Sequence, residues 1–234
     1  VVGVPMQLHS SKISNKTKTC CSGLDIADAR NVSKKLGIKH YIINLEERFK
    51  NSVIKDFVNS YKKGETPIPC IRCNQTVKFI DLINFAESLK CKYLATGHYI
   101  KRVEDKNGIH LFCAEDDKKD QSYFLFATTQ RQLKILRFPL GNFKKSEIRE
   151  IAKFYKLGVE DKKDSQDICF IPNGSYAETI KKLRPNTAKP GSILNDKNVI
   201  IGEHQGIINY TVGQRKGIGI NSEVPLFVKR INAN

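Results

Sequence analysis

The sequence has 234 residues, which is enough chain for one α/β domain and a small second domain. It carries 40 Lys and Arg against 24 Asp and Glu, and the net charge of +16 favours a polyanionic partner, above all nucleic acid, unless the charge serves solubility alone. No apolar run approaches the roughly 18 residues that a membrane span needs, and no signal-peptide pattern opens the chain, so neither a membrane partner nor secretion is expected.

The first part of the chain alternates predicted strands and helices. The elements predicted in order are a strand over Val1–Leu8, a helix over Leu24–Leu36 that Gly37 ends, a strand over His40–Leu45, helices over Phe49–Tyr61 and Val77–Leu89, and a strand over Lys92–Thr96. This alternation predicts the α/β class, with a parallel sheet covered by helices on both faces. Ligands bind beyond the carboxyl ends of such strands, which points to Met6, Gly97 and His98.

The second part of the chain predicts a hairpin and then a change of character. Strands over Tyr99–Val103 and Ile109–Cys113 flank the turn sequence EDKNG, and helices are predicted over Gln121–Ala127 and Ser146–Tyr155. Beyond Cys169, short β-like pieces (SIL, VII and PLFVKRI) replace the alternation. We therefore expect a domain boundary near Tyr176, between a first domain over residues 1–176 and a small α+β domain over residues 177–234.

Two polar segments each place a cysteine where a ligand can reach it: TPIPCIRCNQTVKF and KKDSQDICFIPNGSY. In the first, Cys70 and Cys73 form a CxxC motif, which is a zinc half-site, a redox pair or a chance match; without a second such pair, no structural metal is expected. Asn74 can cap a helix that follows, and a thiol at a helix N-terminus has a lowered pKa. Cys73 is therefore the better nucleophile.

Cys169 lies between Ile168 and Phe170, so it is either a small buried hydrophobe or, given the polar sequence around it, an accessible loop thiol. Cys20, Cys21, Cys91 and Cys113 are interpreted as structural. Seven irregularly spaced cysteines do not match a secreted disulfide framework, and they indicate a reducing, cytoplasmic location.

Three further motifs are weak when taken separately. ATGHY ends a strand in Gly97, which permits close approach of a ligand, and in His98, which either serves a site or satisfies a neighbouring carbonyl. KDQSYF begins with Lys119 and places an acidic residue and a glutamine, Asp120 and Gln121, at a predicted helix start. These residues either belong to a functional site or cap the helix. GEHQGIINYTVGQRKGIG combines glycines, aromatic rings and an Arg-Lys pair, which suits a loop that contacts phosphates and bases.

In this order, the segments resemble one family, the tRNA-specific 2-thiouridylases of the MnmA type. The matching stretches are TPIPCIRCNQTVKF, KYLATGHY, KDQSYFLF, FPLGNFKKSEIREIA, KKDSQDICFI and IGEHQGIINYTVGQRKGIGI. They extend from Val1 to about Leu226, and a joint match of that length is specific where CxxC or TGHY alone is not.

The resemblance implies an adenine-nucleotide-binding domain of the PP-loop, HUP-like type, followed by a small α+β middle domain. It implies an enzyme that thiolates C2 of the wobble uridine of tRNA, using ATP with Mg²⁺ to adenylate the C2 oxygen and a cysteine persulfide to deliver sulfur. The implied partners are tRNA and an upstream sulfur-relay protein or cysteine desulfurase that donates the persulfide.

The same resemblance implies roles for individual residues. Cys73 corresponds to the nucleophile, and Cys169 to the cysteine that carries the persulfide and forms a transient disulfide with Cys73. The implied contacts are Met6 and Gly97 for ATP; His98, Lys119, Asp120 and Gln121 for tRNA; and Ile68, Pro69 and Cys70 for the target base.

The sequence departs from the family pattern in three places. The SGGxDS loop that cradles ATP phosphates is absent, as is the C-terminal β-barrel, and the chain opens at Val1, so we expect either an excerpt or a processed product. Ile68 and Cys70 stand where many members have Asn and Asp, which allows a changed base contact or a third reactive thiol. The alternatives are therefore a catalytically inactive tRNA-binding remnant or a sulfur carrier that does not adenylate its substrate.

Overall fold

The computed structural model describes residues 1–9, 23–162, 164, 168–171, 176–183 and 189–233. Its N-terminal strands pair in parallel, β1 (Val2–Gly3) with β3 (Lys39–His40) and β2 (Met6–Gln7) with β4 (Ile43–Asn44). Each of the two predicted long strands is thus split in two. The break between β1 and β2 contains Pro5, which has no backbone N–H to donate.

In chain order, helices follow β2 and β4. Helix α1 (Gly23–Lys35) lies where the sequence predicts it, and Gly37 follows with φ 65°, the left-handed conformation that ends many helices. After β4 the chain is helical through α2 (Glu46–Phe49), a π segment (Lys50–Ile54) and α3 (Lys55–Lys62). Cys20 and Cys21 lie outside the described residues.

The helix that carries the CxxC motif begins earlier than predicted. It runs through α4 (Pro69–Cys73), a π segment (Asn74–Asp81) and α5 (Leu82–Ser88), and we call this run the CxxC helix. Pro69 occupies its first turn, where the missing N–H costs nothing and the fixed φ suits a helix. The predicted start at Val77 is wrong, and so is the assignment of Asn74 as the helix cap.

A second group of parallel strands is formed by β5 (Leu94–Ala95) and β8 (Leu136–Arg137). Between them lies the predicted hairpin, β6 (Lys101–Asp105) and β7 (Gly108–Phe112), in antiparallel register. Helix α6 (Gln130–Ile135) was not predicted; Thr129 caps it through a capping box with Gln132. A 3₁₀ turn (Ser122–Leu125) replaces the predicted helix over Gln121–Ala127.

Where the structure describes the C-terminal part, that part forms two helices and one more hairpin. The elements are α7 (Lys145–Phe154), α8 (Tyr176–Leu183), β9 (Gly191–Leu194), β10 (Ile200–His204) and a 3₁₀ turn (Ile207–Asn209). The predicted strand PLFVKRI is wrong: Val228 exchanges backbone hydrogen bonds with Gly213 and Gln214, at 2.7 and 2.9 Å, without forming a regular strand.

Two hydrophobic cores hold these elements together. The first core collects α2, α3 and the CxxC helix, and Ile180 of α8 and Ile208, exposed by at most 1%, also enter it. The second core lies around Ile100 and Leu136, which are fully buried. No described helix has both the length and the apolar character needed to cross a membrane.

Gly141 provides a test of the packing around the second core. A Cβ there would overlap the carbonyl oxygen of Ile100, and backbone cannot rotate away as a side chain can. We expect Gly141→Ala to lower the free energy of unfolding by about 3 kcal/mol, measured by urea denaturation. Gly97→Ala is the matched control, because among the residues that the structure describes its Cβ would meet Leu140 Cδ1 alone, at 3.7 Å. Equal losses of stability in both variants would contradict the close packing of Gly141 against Ile100.

Candidate active site

The two cysteines singled out in the sequence belong to the same core. Cys73, in the second turn of the CxxC helix, is 6% exposed and is a member of the first core. Cys169 is half-buried and packs against that core, as does Met6, which begins β2 and so lies within a strand and not beyond its carboxyl end as expected. The fold therefore brings together two thiols that are far apart in the chain, together with a residue of strand β2.

Cys169 is held in place by the residues that follow it. Phe170 and Ile171 are 5% and 1% exposed. The ring of Phe170 makes edge contacts with Phe49 and Phe57, at centroid distances of 5.7 and 5.3 Å. The core thus anchors the chain immediately beyond Cys169 while the thiol itself lies at its margin. The sequence left two alternatives for Cys169, a buried hydrophobe and an accessible thiol. In the structure Cys169 packs against the core and is only half-buried, so each alternative is partly correct.

The CxxC motif presents its two thiols differently. Cys70 is exposed in the first helical turn, Pro69 beside it is buried, and Ile68 is 36% exposed at the N-cap position. Because the helix begins at Pro69, the argument that placed Cys73 at the helix N-terminus is wrong: the helix dipole acts mainly within the first turn, which contains Cys70. Cys73 is distinguished instead by its burial beside the segment of Cys169.

His98 follows β5 and lies in an aromatic pocket. It is 8% exposed, its ring makes edge contacts with Phe79 and Phe138 at 5.9 and 6.2 Å, and Thr96 Oγ1 lies 2.8 Å from Nδ1. Burial, with a smaller contribution from the charge of Lys78, lowers the pKa of His98 to about 3. The imidazole is therefore neutral at physiological pH and offers hydrogen bonds, not a positive charge.

The Lys119–Gln121 stretch makes internal contacts. The Asp120 carboxylate accepts hydrogen bonds from the backbone N–H groups of Ala114 and Ser122, at 2.7 and 3.2 Å. Gln121 makes two hydrogen bonds with Tyr99. The N–H of Tyr99 donates to Gln121 Oε1 at 3.0 Å, and the N–H of Gln121 donates to the carbonyl of Tyr99 at 2.9 Å. Asp120 and Gln121 thus hold this turn beside His98. Their bonds to backbone groups resemble the capping role that was the alternative to a functional role.

Lys119 links this turn to the segment that precedes Cys169. Its ammonium donates to Asp164 at 2.8 Å, and Lys145 pairs with the same carboxylate at 3.3 Å. These two cations hold the pKa of Asp164 below its usual range, and the hydrogen bond from Lys119 has the largest effect. Burial acts in the opposite direction and raises this pKa. Neither Asp164 nor Lys145 was singled out in the sequence, since only the fold brings them to Lys119.

The rings of the GEHQGIINYTVGQRKGIG segment stabilise its own loop. His204 and Tyr210 pack edge to face at 5.8 Å, His204 Nδ1 accepts from the N–H of Gly206 at 3.0 Å, and the Tyr210 hydroxyl donates to the carbonyl of Ile218 at 3.1 Å. The rings expected to contact bases are thus engaged within the loop. Within the described residues, no group of three acidic, His or Cys side chains is placed to hold a metal ion.

Comparison with known proteins assigns both parts of the chain. Residues 1–173 match the family described as the tRNA methyl transferase HUP domain, and residues 178–234 match the tRNA methyl transferase PRC-barrel domain. These matches confirm the predicted α/β fold class, a HUP-type domain with parallel strands followed by a small second domain.

Curated relatives cover the chain from end to end. Proteins named tRNA-specific 2-thiouridylase MnmA are 51% identical in Neorickettsia sennetsu and 53% identical in Orientia tsutsugamushi, each over 100% of this chain, and 53% identical in Wolbachia pipientis wMel, over 99% of it. The chain spans 63% of the length of each of these relatives. The chain belongs to the family of tRNA-specific 2-thiouridylases, as its motifs predict.

Proposed function

We propose that the protein is a tRNA-uridine 2-sulfurtransferase that acts in the cytoplasm on the wobble uridine of tRNA. The observation that carries the proposal is the common core of Cys73 and Cys169, because sulfur transfer through a persulfide requires a second thiol close to the first. The names of the relatives and the net charge of +16 support tRNA as the substrate.

In the proposed reaction, the terminal sulfur of a persulfide on Cys169 attacks C2 of the uridine, and the activated C2 oxygen leaves. The Cys73 thiolate then attacks Cys169 Sγ and forms a disulfide with it, and the terminal sulfur remains on C2 as the thiocarbonyl. An external dithiol reduces this disulfide before the next cycle. The persulfide comes from a sulfur-relay protein or a cysteine desulfurase.

ATP, as its Mg²⁺ complex, would supply the activation by adenylating the C2 oxygen, which otherwise is a poor leaving group. Met6 and Gly97 would hold it: Met6 begins the two-residue parallel strand β2, and Gly97 lies just beyond the carboxyl end of the parallel strand β5. Gly97 does not have positive φ, and among the described residues a Cβ there would meet Leu140 Cδ1 alone, at 3.7 Å. The packing of the described residues therefore does not demand glycine and leaves room for a ligand beside it.

The remaining residues would bind RNA. The neutral His98 would hydrogen-bond the substrate, and a phosphate would compete with Asp164 for Lys119. The proposed tRNA contacts are His98, Lys119, Asp120 and Gln121, and the proposed contacts of the target base are Ile68, Pro69 and Cys70. We place the domain boundary near Tyr176, which the two matched regions, 1–173 and 178–234, support.

The test is a complete thiolation assay with the full-length protein, a tRNA transcript with uridine at the wobble position, Mg²⁺-ATP, a cysteine desulfurase and ³⁵S-labelled cysteine. We expect label in the tRNA and 2-thiouridine in its nuclease digest, identified by mass spectrometry, only when ATP is present. Salt-sensitive tRNA binding without thiolation would reject the enzymatic proposal in favour of the non-catalytic RNA-binding alternative. Persulfide on Cys169 without transfer to tRNA would favour a sulfur carrier.

A further inference from the structure

Two large aromatic side chains stand exposed on one short turn. Tyr123 and Phe126 are 62% and 70% exposed, while Leu125 between them is 1% exposed and belongs to the second core. The two exposed rings lie 6.4 Å apart between centroids, at an angle of 44°. Exposed apolar residues are ordinary on a protein surface, so the two rings alone do not indicate a ligand; what distinguishes them is how their turn is fixed and what it packs against.

The turn is fixed from both sides. Ahead of it, Asp120 and Gln121 make the backbone hydrogen bonds to Ala114, Ser122 and Tyr99 described above. Behind it, the N–H of Thr128 donates to the carbonyl of Leu125 at 3.0 Å. With the buried Leu125 as its anchor, the turn presents its rings with little conformational entropy left to lose on binding.

The turn also lies against the helix that carries the proposed nucleophile. Asn74, the residue after Cys73, is 3% exposed, and its side-chain amide donates to the carbonyl of Phe124 at 3.1 Å. Asn74 Oδ1 is buried and has no hydrogen-bond partner among the described residues. A ligand at the exposed rings would therefore lie against the part of the CxxC helix that directly follows Cys73.

We propose that Tyr123 and Phe126 form a stacking platform for unpaired bases of RNA, next to the base that is thiolated. Exposed aromatic rings on a chain with a net charge of +16 suit single-stranded RNA, because every base has a π-face and the RNA backbone is anionic. The proposal rests on the proposed function, since a uridine withdrawn from the stack of a loop leaves neighbouring bases that need new stacking partners. It assigns residues beyond Lys119, Asp120 and Gln121.

The first test compares the affinities of alanine variants for two RNAs. We expect Tyr123→Ala and Phe126→Ala each to raise the Kd of a fluorescein-labelled stem–loop with a seven-nucleotide loop by about 5-fold to 150-fold, the range for one stacked base. A fully paired duplex of the same stem has no base to stack, so its Kd should change less than about 2-fold. Fluorescence anisotropy measures both.

The chain contains a matched control pair. Phe154 and Tyr155 are 78% and 59% exposed, and their rings also contact each other, at 5.1 Å between centroids. Phe154→Ala and Tyr155→Ala remove the same kind of exposed ring at the end of α7, so they should leave the Kd of the stem–loop unchanged. Because all four rings are exposed, thermal denaturation should show that none of these variants loses the fold.

The second test reads stacking directly. The chain has no tryptophan, so Tyr123→Trp introduces a single tryptophan, which can be excited selectively and can itself stack on a base. We expect its emission to be quenched when the stem–loop binds and unchanged with the duplex, while Tyr155→Trp should respond to neither. Wild-type affinity in both platform variants, or equal effects in the α7 controls, would overturn the platform and leave the proposed function standing. Absence of stem–loop binding by the wild type would instead reject the proposed function.

Discussion

Replacement of either Cys73 or Cys169 by serine is expected to reduce the rate of 2-thiouridine formation by at least about 10³-fold, as loss of a covalent group does in other enzymes. A serine hydroxyl cannot carry a persulfide, so Cys169→Ser should block the delivery of sulfur. Cys73→Ser should stop the cycle later, because no thiol remains to release sulfur from Cys169. Thiolation of tRNA by the full-length protein, measured by mass spectrometry of the digest, checks both variants.

The two variants should differ in what they accumulate. When the persulfide donor is supplied, Cys73→Ser should still acquire one extra sulfur on Cys169, whereas Cys169→Ser should acquire none there; peptide mass spectrometry without reductant distinguishes the two. Cys91→Ser is the control, since Cys91 is a half-buried cysteine outside both segments, and it should retain wild-type activity. Retained thiolation in either site variant would refute the assignment of that cysteine.

Cys70→Ser separates the two thiols of the CxxC motif. Cys70 is exposed in the first turn of the CxxC helix, whereas Cys73 is buried in the second. If Cys73 alone performs the release step, Cys70→Ser should keep most of the activity. An equal loss in Cys70→Ser would assign the release step to the motif as a pair, in which the exposed thiol resolves the disulfide of the buried one.

Local sequence signals predicted those elements whose ends are set by short-range chemistry. Helix α1 ends where Gly37 adopts positive φ, and the hairpin of β6 and β7 closes through Lys106 and Asn107, with Gly108 at φ 132° as the first residue of β7. The start of the CxxC helix was missed for a related reason. Proline breaks a helix when it lies in the interior, so the sequence PIPC did not indicate a helix. Pro69 occupies the first helical position, where proline is favoured.

The candidate site depends on packing that no local pattern contains. The motifs pointed to Cys73 and Cys169, yet only the fold shows that Phe170 wedges against Phe49 and Phe57 and so holds the second cysteine at the core that contains the first. Lys119 was expected from its motif to contact tRNA, but its ion pair with Asp164 becomes visible only in the fold. Such long-range contacts decide both the roles of charged residues and the burial of His98.

His98 should make the stability of the protein depend on pH. Its folded-state pKa of about 3 lies below the ordinary value of 6.5, so between these values the unfolded chain binds a proton that the folded chain does not. Stability is therefore fully present above about pH 6.5 and is lost as the pH falls toward 3. The loss should be about 2 kcal/mol at pH 5 and should approach about 4 kcal/mol near pH 3.

Urea denaturation between pH 7.5 and pH 5 measures this effect, with His98→Gln as the test variant. The glutamine amide keeps a hydrogen-bonding group beside Thr96 but does not titrate, so the variant should lack about 2 kcal/mol of the pH dependence of the wild type. Carboxylates contribute to both proteins and cancel in the comparison. If His98→Gln and the wild type lose stability in parallel, the imidazole is solvated in the folded protein, and His98 would then be able to meet RNA as a cation.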